Sequence, residues 1–192
     1  MTDSVEEIFQ KSGALLKGHF LLASGLHSPA YWEKFRVLQF PNYTEQLCRM
    51  IADHFRNQEI QVVAGPTTGG IILAFEVARQ LGVRGIFAEK TVPGERAFRR
   101  GFNISPGERV LIVDDILTTG GSISGVMAAV NKLGGKIIGI GVLVDRSEQN
   151  LDFGVPLFSC HRAKTLTYKP EDCPLCAAKI PLVKPGSRQP PS

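Results

Sequence analysis

No apolar run in the 192 residues reaches the length of a membrane span, which excludes a hydrophobic transmembrane helix. No Lys/Arg block is present either. The 22 basic and 18 acidic residues leave a net charge of +4, and the positives are scattered, so neither a nucleic-acid partner nor a membrane partner is expected. Cysteine is scarce: Cys48, Cys160, Cys173 and Cys176 do not make a secreted disulfide framework. The acidic start, Met1-Thr2-Asp3-Ser4-Val5-Glu6-Glu7, lacks a signal-peptide pattern, so a cytoplasmic protein is expected. Internal repeats are lacking, and so is a stretch long enough to be a second domain. One domain over residues 1–184 is expected, with a tail at 185–192 too poor in core-forming residues to stay ordered.

What the chain does have is alternation. Ser4-Val5-Glu6-Glu7 is a capping box that opens a short helix, and Asn42-Tyr43-Thr44-Glu45 has the same form before a helix carrying Leu47, Met50, Ile51 and Phe55. Between them lie a short strand near 18–22 and an aromatic-rich segment holding the single Trp, Trp32. Strands are then predicted at 60–64, 84–88, 110–113 and 136–144, and helices at 71–81 and 123–133, the helices closed by Gly82 and Gly134. A charged loop is expected over 89–100. The pattern predicts an α/β fold with a central, mostly parallel sheet flanked by helices.

The most informative stretch is Val110-Leu111-Ile112-Val113-Asp114-Asp115-Ile116-Leu117-Thr118-Thr119-Gly120-Gly121-Ser122. A buried strand runs into two carboxylates and then into a loop of hydroxyls and glycines at a helix start. The loop's backbone N–H groups and hydroxyls suit a phosphate. The aspartates would repel a phosphate but suit hydroxyls or a metal ion beside it. Together they describe a site for a ribose 5-phosphate. It is not a P-loop, because no Gly-Lys-Ser/Thr follows, and the adjacent glycines do not form a dinucleotide fingerprint. A plain βα turn needs neither the paired aspartates nor the paired threonines. A second loop, Gly65-Pro66-Thr67-Thr68-Gly69-Gly70, also follows a strand and opens a helix, so it could hold a second phosphate group.

The long stretch resembles the phosphoribosyl pyrophosphate (PRPP) motif of type I phosphoribosyltransferases, and within them the chain is similar to orotate phosphoribosyltransferases over roughly residues 12–146. The resemblance implies the type I fold with a small N-terminal hood over about residues 1–40. It implies transfer of the phosphoribosyl group from PRPP to orotate, giving orotidine 5′-monophosphate and pyrophosphate. It also implies a homodimer and Mg²⁺ bound mainly through PRPP and pyrophosphate.

In residue terms, the resemblance assigns Asp114, Asp115, Ile116, Leu117, Thr118, Thr119, Gly120, Gly121 and Ser122 to PRPP, with Thr67, Thr68 and Gly69 at the pyrophosphate and Lys90 as a further PRPP contact. Lys90, Arg99 and Arg100, with Arg96, lie in a segment similar to the family's closing loop. That loop's usual lysine-and-histidine pattern is absent here, so Asp114, Asp115, Arg99 and Arg100 are the catalytic candidates. Thr118 and Arg146 are expected at orotate, since a guanidinium fork matches a carboxylate. Many family members have a lysine where this chain has Ala23, and Lys34 is the candidate to replace it. The alternatives are a purine phosphoribosyltransferase and a PRPP-sensing, nucleic-acid-binding regulator of the same fold. Arg146 speaks against the first and the unclustered charge against the second.

Cys173-Pro174-Leu175-Cys176 resembles the C-terminal segment of some orotate phosphoribosyltransferases. The nearest further cysteine and histidine, Cys160 and His161, lie about a dozen residues earlier. Neighbours in an extended strand point to opposite faces, so both can hardly reach one ion. Three ligands leave a structural site open. The expectation is therefore no bound metal, and near-normal activity after Cys173→Ser with Cys176→Ser.

Overall fold

The computed structural model describes residues 4–22, 24–91, 95–147, 149–163 and 166–185. Met1, Thr2, Asp3, Ala23 and tail residues 186–192 lie outside them, as do residues 92–94 of the charged segment.

Helix α1 (Val5–Lys11) opens on the expected capping box: the Glu7 N–H donates to Ser4 Oγ and the Ser4 N–H to Glu7 Oε2. Its apolar face, Val5, Ile8 and Phe9, is buried. Strands β1 (Leu15–Leu21) and β2 (His27–Trp32) form an antiparallel hairpin that makes a sheet of its own. Two helices follow, α2 (Lys34–Leu38) and α3 (Pro41–Phe55). The second capping box does not form. Pro41, with its φ already set and no N–H to lose, starts α3 two residues earlier, with Phe40 rather than Asn42 at the N-cap, and Thr44 instead donates to the Leu38 carbonyl.

The alternating part comprises β3 (Val62–Pro66), α4 (Gly69–Leu81), β4 (Arg84–Lys90), β5 (Arg96–Phe98), β6 (Arg109–Leu117), α5 (Gly121–Lys132), β7 (Lys136–Asp145) and β8 (Leu157–Arg162). The sheet order is β5-β4-β3-β6-β7-β8. All pairings are parallel except that of β5, which runs antiparallel along the outer edge of β4. Strand β5 lies inside the segment expected to be a charged loop. Three residues with one aromatic carry no readable alternation, and pairing with β4 decides their conformation. A short helix, α6 (Pro174–Ala177), follows a 3-10 turn at Pro170–Asp172.

The buried strands alternate their side chains between two cores. Leu111 and Val113 of β6 join Leu47, Ile51, Phe55, Leu73 and Val77 of α3 and α4 on one face. Val110 and Ile112 join Ile123, Val126 and Val130 of α5 on the other. The last segment returns to the hairpin: Val183 bridges Phe20, and Tyr168 bridges His27. Among the described residues no helix is long and apolar enough to cross a membrane.

The chain leaves β3 toward β4 on one side and reaches β6 on the other. The carboxyl ends of β3 and β6, which are neighbours, therefore form the switch point where α/β proteins bind ligands.

Candidate active site

Both Gly-rich loops leave the sheet at that switch point. Thr118, Thr119, Gly120, Gly121 and Ser122 follow β6 and lead into α5, lining a hollow of about 240 Å³ together with Asp114, Ile116, Leu117 and Ile123. Gly120, at the N-cap, has φ of 80° and presses against Phe153, so a side chain there would be both strained and crowded. No side chain caps α5, and Thr118, Thr119 and Ser122 are exposed. The helix start thus keeps N–H donors and hydroxyls for an anion. The other loop, after β3, holds a cis peptide between Thr67 and Thr68 and leads into α4, which also lacks a side-chain cap.

Asp114 and Asp115 are adjacent in sequence but belong to opposite faces of β6. Asp114 continues the Val110–Ile112 side, toward α5, and borders the hollow. Burial, and then the charge of Asp115, push its carboxyl up to about 7. Asp115 continues the Leu111–Val113 side and is 2% exposed. Lys34 of α2 sits 3.0 Å from its Oδ1 and 2.9 Å from its Oδ2, but donates with hydrogen-bond geometry only to Oδ1. Oδ2 is buried without a hydrogen-bond partner among the described residues and abuts Gly69. A Cβ at Gly69 would lie 1.6 Å from it, so only glycine lets α4 start here. Lys34 thereby ties α2 to the motif strand.

Arg96, on the edge strand β5, joins the two loops. Its guanidinium donates to Thr67 Oγ1 at 3.4 Å, to the Ala88 carbonyl at 3.3 Å and to Ser122 Oγ at 3.2 Å. Burial lowers its pKa, and the neighbouring Asp114 opposes that. Arg96, Lys90, Glu95, Gly121 and Ser122 line a second hollow of about 490 Å³. Arg99 and Arg100 line neither hollow; both are exposed, and Arg100 is paired with Glu89. Sequence reasoning put Arg96 in the charged segment without singling it out. No local signal could have done so, because only the pairing of β5 with β4 fixes Arg96 opposite Lys90.

Arg146 follows β7, the strand beside β6, and its N–H donates to the Leu117 carbonyl at 2.8 Å. It is half-buried; burial lowers its pKa, and Tyr31 of the hairpin acts in the opposite direction. The candidates on β6, β3 and β7 are thus gathered at adjoining strand ends, whereas Arg99 and Arg100 stand apart.

The Cys-x-x-C segment has different partners from those expected. Cys160 donates to the Leu47 carbonyl in the α3 core, and His161 lies against Trp32 and 3.7 Å from Glu6. Neither belongs to the group around Cys173 and Cys176, which contains His19 and His27 of the hairpin.

Comparison with known proteins agrees with this geometry. Residues 36–154 match the phosphoribosyl transferase domain. The orotate phosphoribosyltransferase of Pelotomaculum thermopropionicum is 54% identical over 97% of this chain and 98% of its own length. That of Caldanaerobacter subterraneus subsp. tengcongensis is 52% identical over the same shares. The crystal structure of orotate phosphoribosyltransferase from Aeropyrum pernix superposes with a TM-score of 0.70 at 26% identity, covering 83% of this chain and 94% of that one. With its motif strand, both loops and nearly its whole length matched, the chain belongs to the orotate phosphoribosyltransferases of the phosphoribosyltransferase family.

Proposed function

We propose that this protein transfers the 5-phosphoribosyl group from PRPP to orotate, producing orotidine 5′-monophosphate and pyrophosphate. The observation that carries the reading is the convergence of two uncapped helix starts, α4 and α5, on one crevice bordered by the buried Asp114. Displacement at the anomeric carbon passes through a cation-like ribosyl centre, so the protein needs no nucleophile and works by position and charge. Thr118, Thr119, Gly120, Gly121 and Ser122 hold the 5′-phosphate with N–H and hydroxyl donors, and Ile116 and Leu117 carry the strand up to them. Asp114 takes a ribose hydroxyl and favours positive charge on the ring. Asp115, on the opposite face of the strand, supports it by holding Lys34.

Thr67, Thr68 and Gly69 receive the pyrophosphate, with Arg96 between the two phosphate sites. Lys90, Arg99 and Arg100 belong to the segment that closes over it. Arg146, with Thr118, holds orotate by its carboxylate. The donor set fits Mg²⁺, which favours one or two carboxylates plus substrate phosphate oxygens. Held mainly through PRPP and pyrophosphate near Asp114, it would supply charge neutralisation on the leaving group.

The same proposal includes one catalytic domain over residues 1–184 with a hood over about 1–40, a cytoplasmic location and a homodimer. Exposed Phe75 and Ile72 on α4 suit an interface. The test follows loss of orotate absorbance with PRPP and Mg²⁺, with adenine, hypoxanthine and uracil as competing acceptors. Consumption of orotate alone supports the reading, and transfer to a purine in preference to orotate would refute it.

A further inference from the structure

Four side chains at the junction of the β1–β2 hairpin and the C-terminal segment point their donor atoms at one another. His19 and Cys173 are buried, as is His27, while Cys176 is exposed. Their ligand atoms all lie within 4.8 Å of each other. We propose that His19, His27, Cys173 and Cys176 bind a structural Zn²⁺ that clamps the C-terminal segment to the hairpin.

Three of the four nitrogen–sulfur separations match those the ion sets, and the whole set lies within 4.8 Å. Zinc at about 2.0–2.1 Å from nitrogen and about 2.3 Å from sulfur, in a tetrahedron, sets ligand separations of about 3.3 Å for N–N, 3.5 Å for N–S and 3.8 Å for S–S. Here Cys173 Sγ lies 3.5 Å and Cys176 Sγ 3.7 Å from His19 Nε2, and Cys176 Sγ lies 3.3 Å from His27 Nδ1. The two imidazole nitrogens, at 2.9 Å, need only open by a few tenths of an ångström, about the tolerance of such sites.

The hydrogen bonds around the ligands fit as well. His19 Nδ1 is 2.8 Å from the Ile180 carbonyl and can only donate to it, which leaves Nε2 with its lone pair facing the cluster. An imidazole nitrogen accepts once. Yet His27 Nδ1 and both sulfurs crowd that single lone pair. A cation at the centre uses the donors of all four residues at once. The Cys-x-x-Cys pair, begun at the N-cap of α6, supplies two thiolates from one turn of chain. The hairpin supplies the two histidines that sequence spacing could not assign. The set is complete and closed, as structural zinc sites are. Exposed Cys176 gives the ion a way in.

Elemental analysis of the protein purified from zinc-replete cells, without chelator, should find one zinc per chain. Co²⁺ added to the reduced apoprotein should give the intense visible bands of tetrahedral cobalt with thiolate charge transfer. Cys173→Ser with Cys176→Ser should abolish both signals and lower the melting temperature, whereas Cys160→Ser should keep the zinc. Less than about one-tenth of a zinc per chain, together with no tetrahedral cobalt spectrum from the wild-type protein, would overturn the assignment even if the double variant fails to fold. Loss of zinc from Cys160→Ser equal to that of the double variant would overturn the ligand set.

Discussion

Asp114→Asn is expected to make the ligand-free protein more stable above neutral pH while removing most of its activity. The Asp114 carboxyl is raised from 3.8 to about 7, first by burial and then by the charge of Asp115. Because the folded value exceeds the unfolded one, the folded chain keeps a proton that the unfolded chain has released. Stability therefore falls as pH rises through that window and stays at the lower level beyond it. At about 1.4 kcal/mol per pH unit the ceiling on this loss is about 4 kcal/mol. Asparagine carries no charge and keeps an oxygen for the Asp115 N–H, which lies 2.8 Å from Asp114 Oδ1. Recovery of about half the ceiling would raise the melting temperature by about 4–8 °C in a chain of this size.

Asp115→Asn should do the reverse. It leaves Lys34 without its carboxylate, and because the Lys34 side chain is 35% exposed, solvent reduces the cost to about 1–2 kcal/mol. Calorimetric melts of both variants at pH 5 and pH 8 measure this. The Asp114→Asn gain should shrink to about a third at pH 5, where the folded wild type is still protonated and the unfolded chain mostly is not. Turnover should fall by about 2–4 kcal/mol of transition-state stabilisation in Asp114→Asn. A lower melting temperature for Asp114→Asn at pH 8, or an equal gain at both pH values, would refute the reasoning.

Arg146→Ala should weaken orotate binding far more than PRPP binding, read by calorimetry with each ligand; equal losses would mark a structural arginine. Gly69→Ala should cost about 1–3 kcal/mol in a denaturation curve and impair PRPP binding, because its methyl group would strike the Asp115 carboxylate. Arg96→Ala should raise the KM for PRPP more than that for orotate, since its guanidinium touches both phosphate loops; steady-state kinetics with each substrate varied would show it. A homodimer is expected by light scattering, and mixing an Arg99→Ala/Arg100→Ala protein with an Asp114→Asn protein should restore activity if the closing segment works across the interface.

The parts of the fold legible in the sequence were those encoded locally. The capping box at Ser4, the buried run at Val110–Val113 and the stops at Gly82 and Gly134 each declare themselves within a few residues. The β6 loop was legible for the same reason: its chemistry is contiguous. What escaped was pairing across the chain. Lys34 meets Asp115 across 81 residues and Arg96 meets Thr67 across 29, and no spacing rule brings them together. The two aspartates show a subtler limit. Their adjacency suggested one paired device, yet β6 remains a pleated strand through Leu117, so alternation sends them to opposite faces. For the Cys-x-x-C segment, spacing along the chain points to nearby Cys160 and His161, whereas the fold supplies His19 and His27.

The bridges of Val183 to Phe20 and Tyr168 to His27 put the hairpin at the mercy of synthesis order. His19 leaves the ribosome 154 residues ahead of Cys173. At about 5–20 residues per second that is a wait of about 8–30 s, far longer than the microseconds a hairpin needs to form. Through that interval β1 and β2 have each other but not Tyr168 or Val183, and two-stranded hairpins alone are marginal. The N-terminal element is thus made first and finished last, and a nascent chain paused before Tyr168 should show the hairpin amides exchanging freely while those of β3 and β6 are already protected.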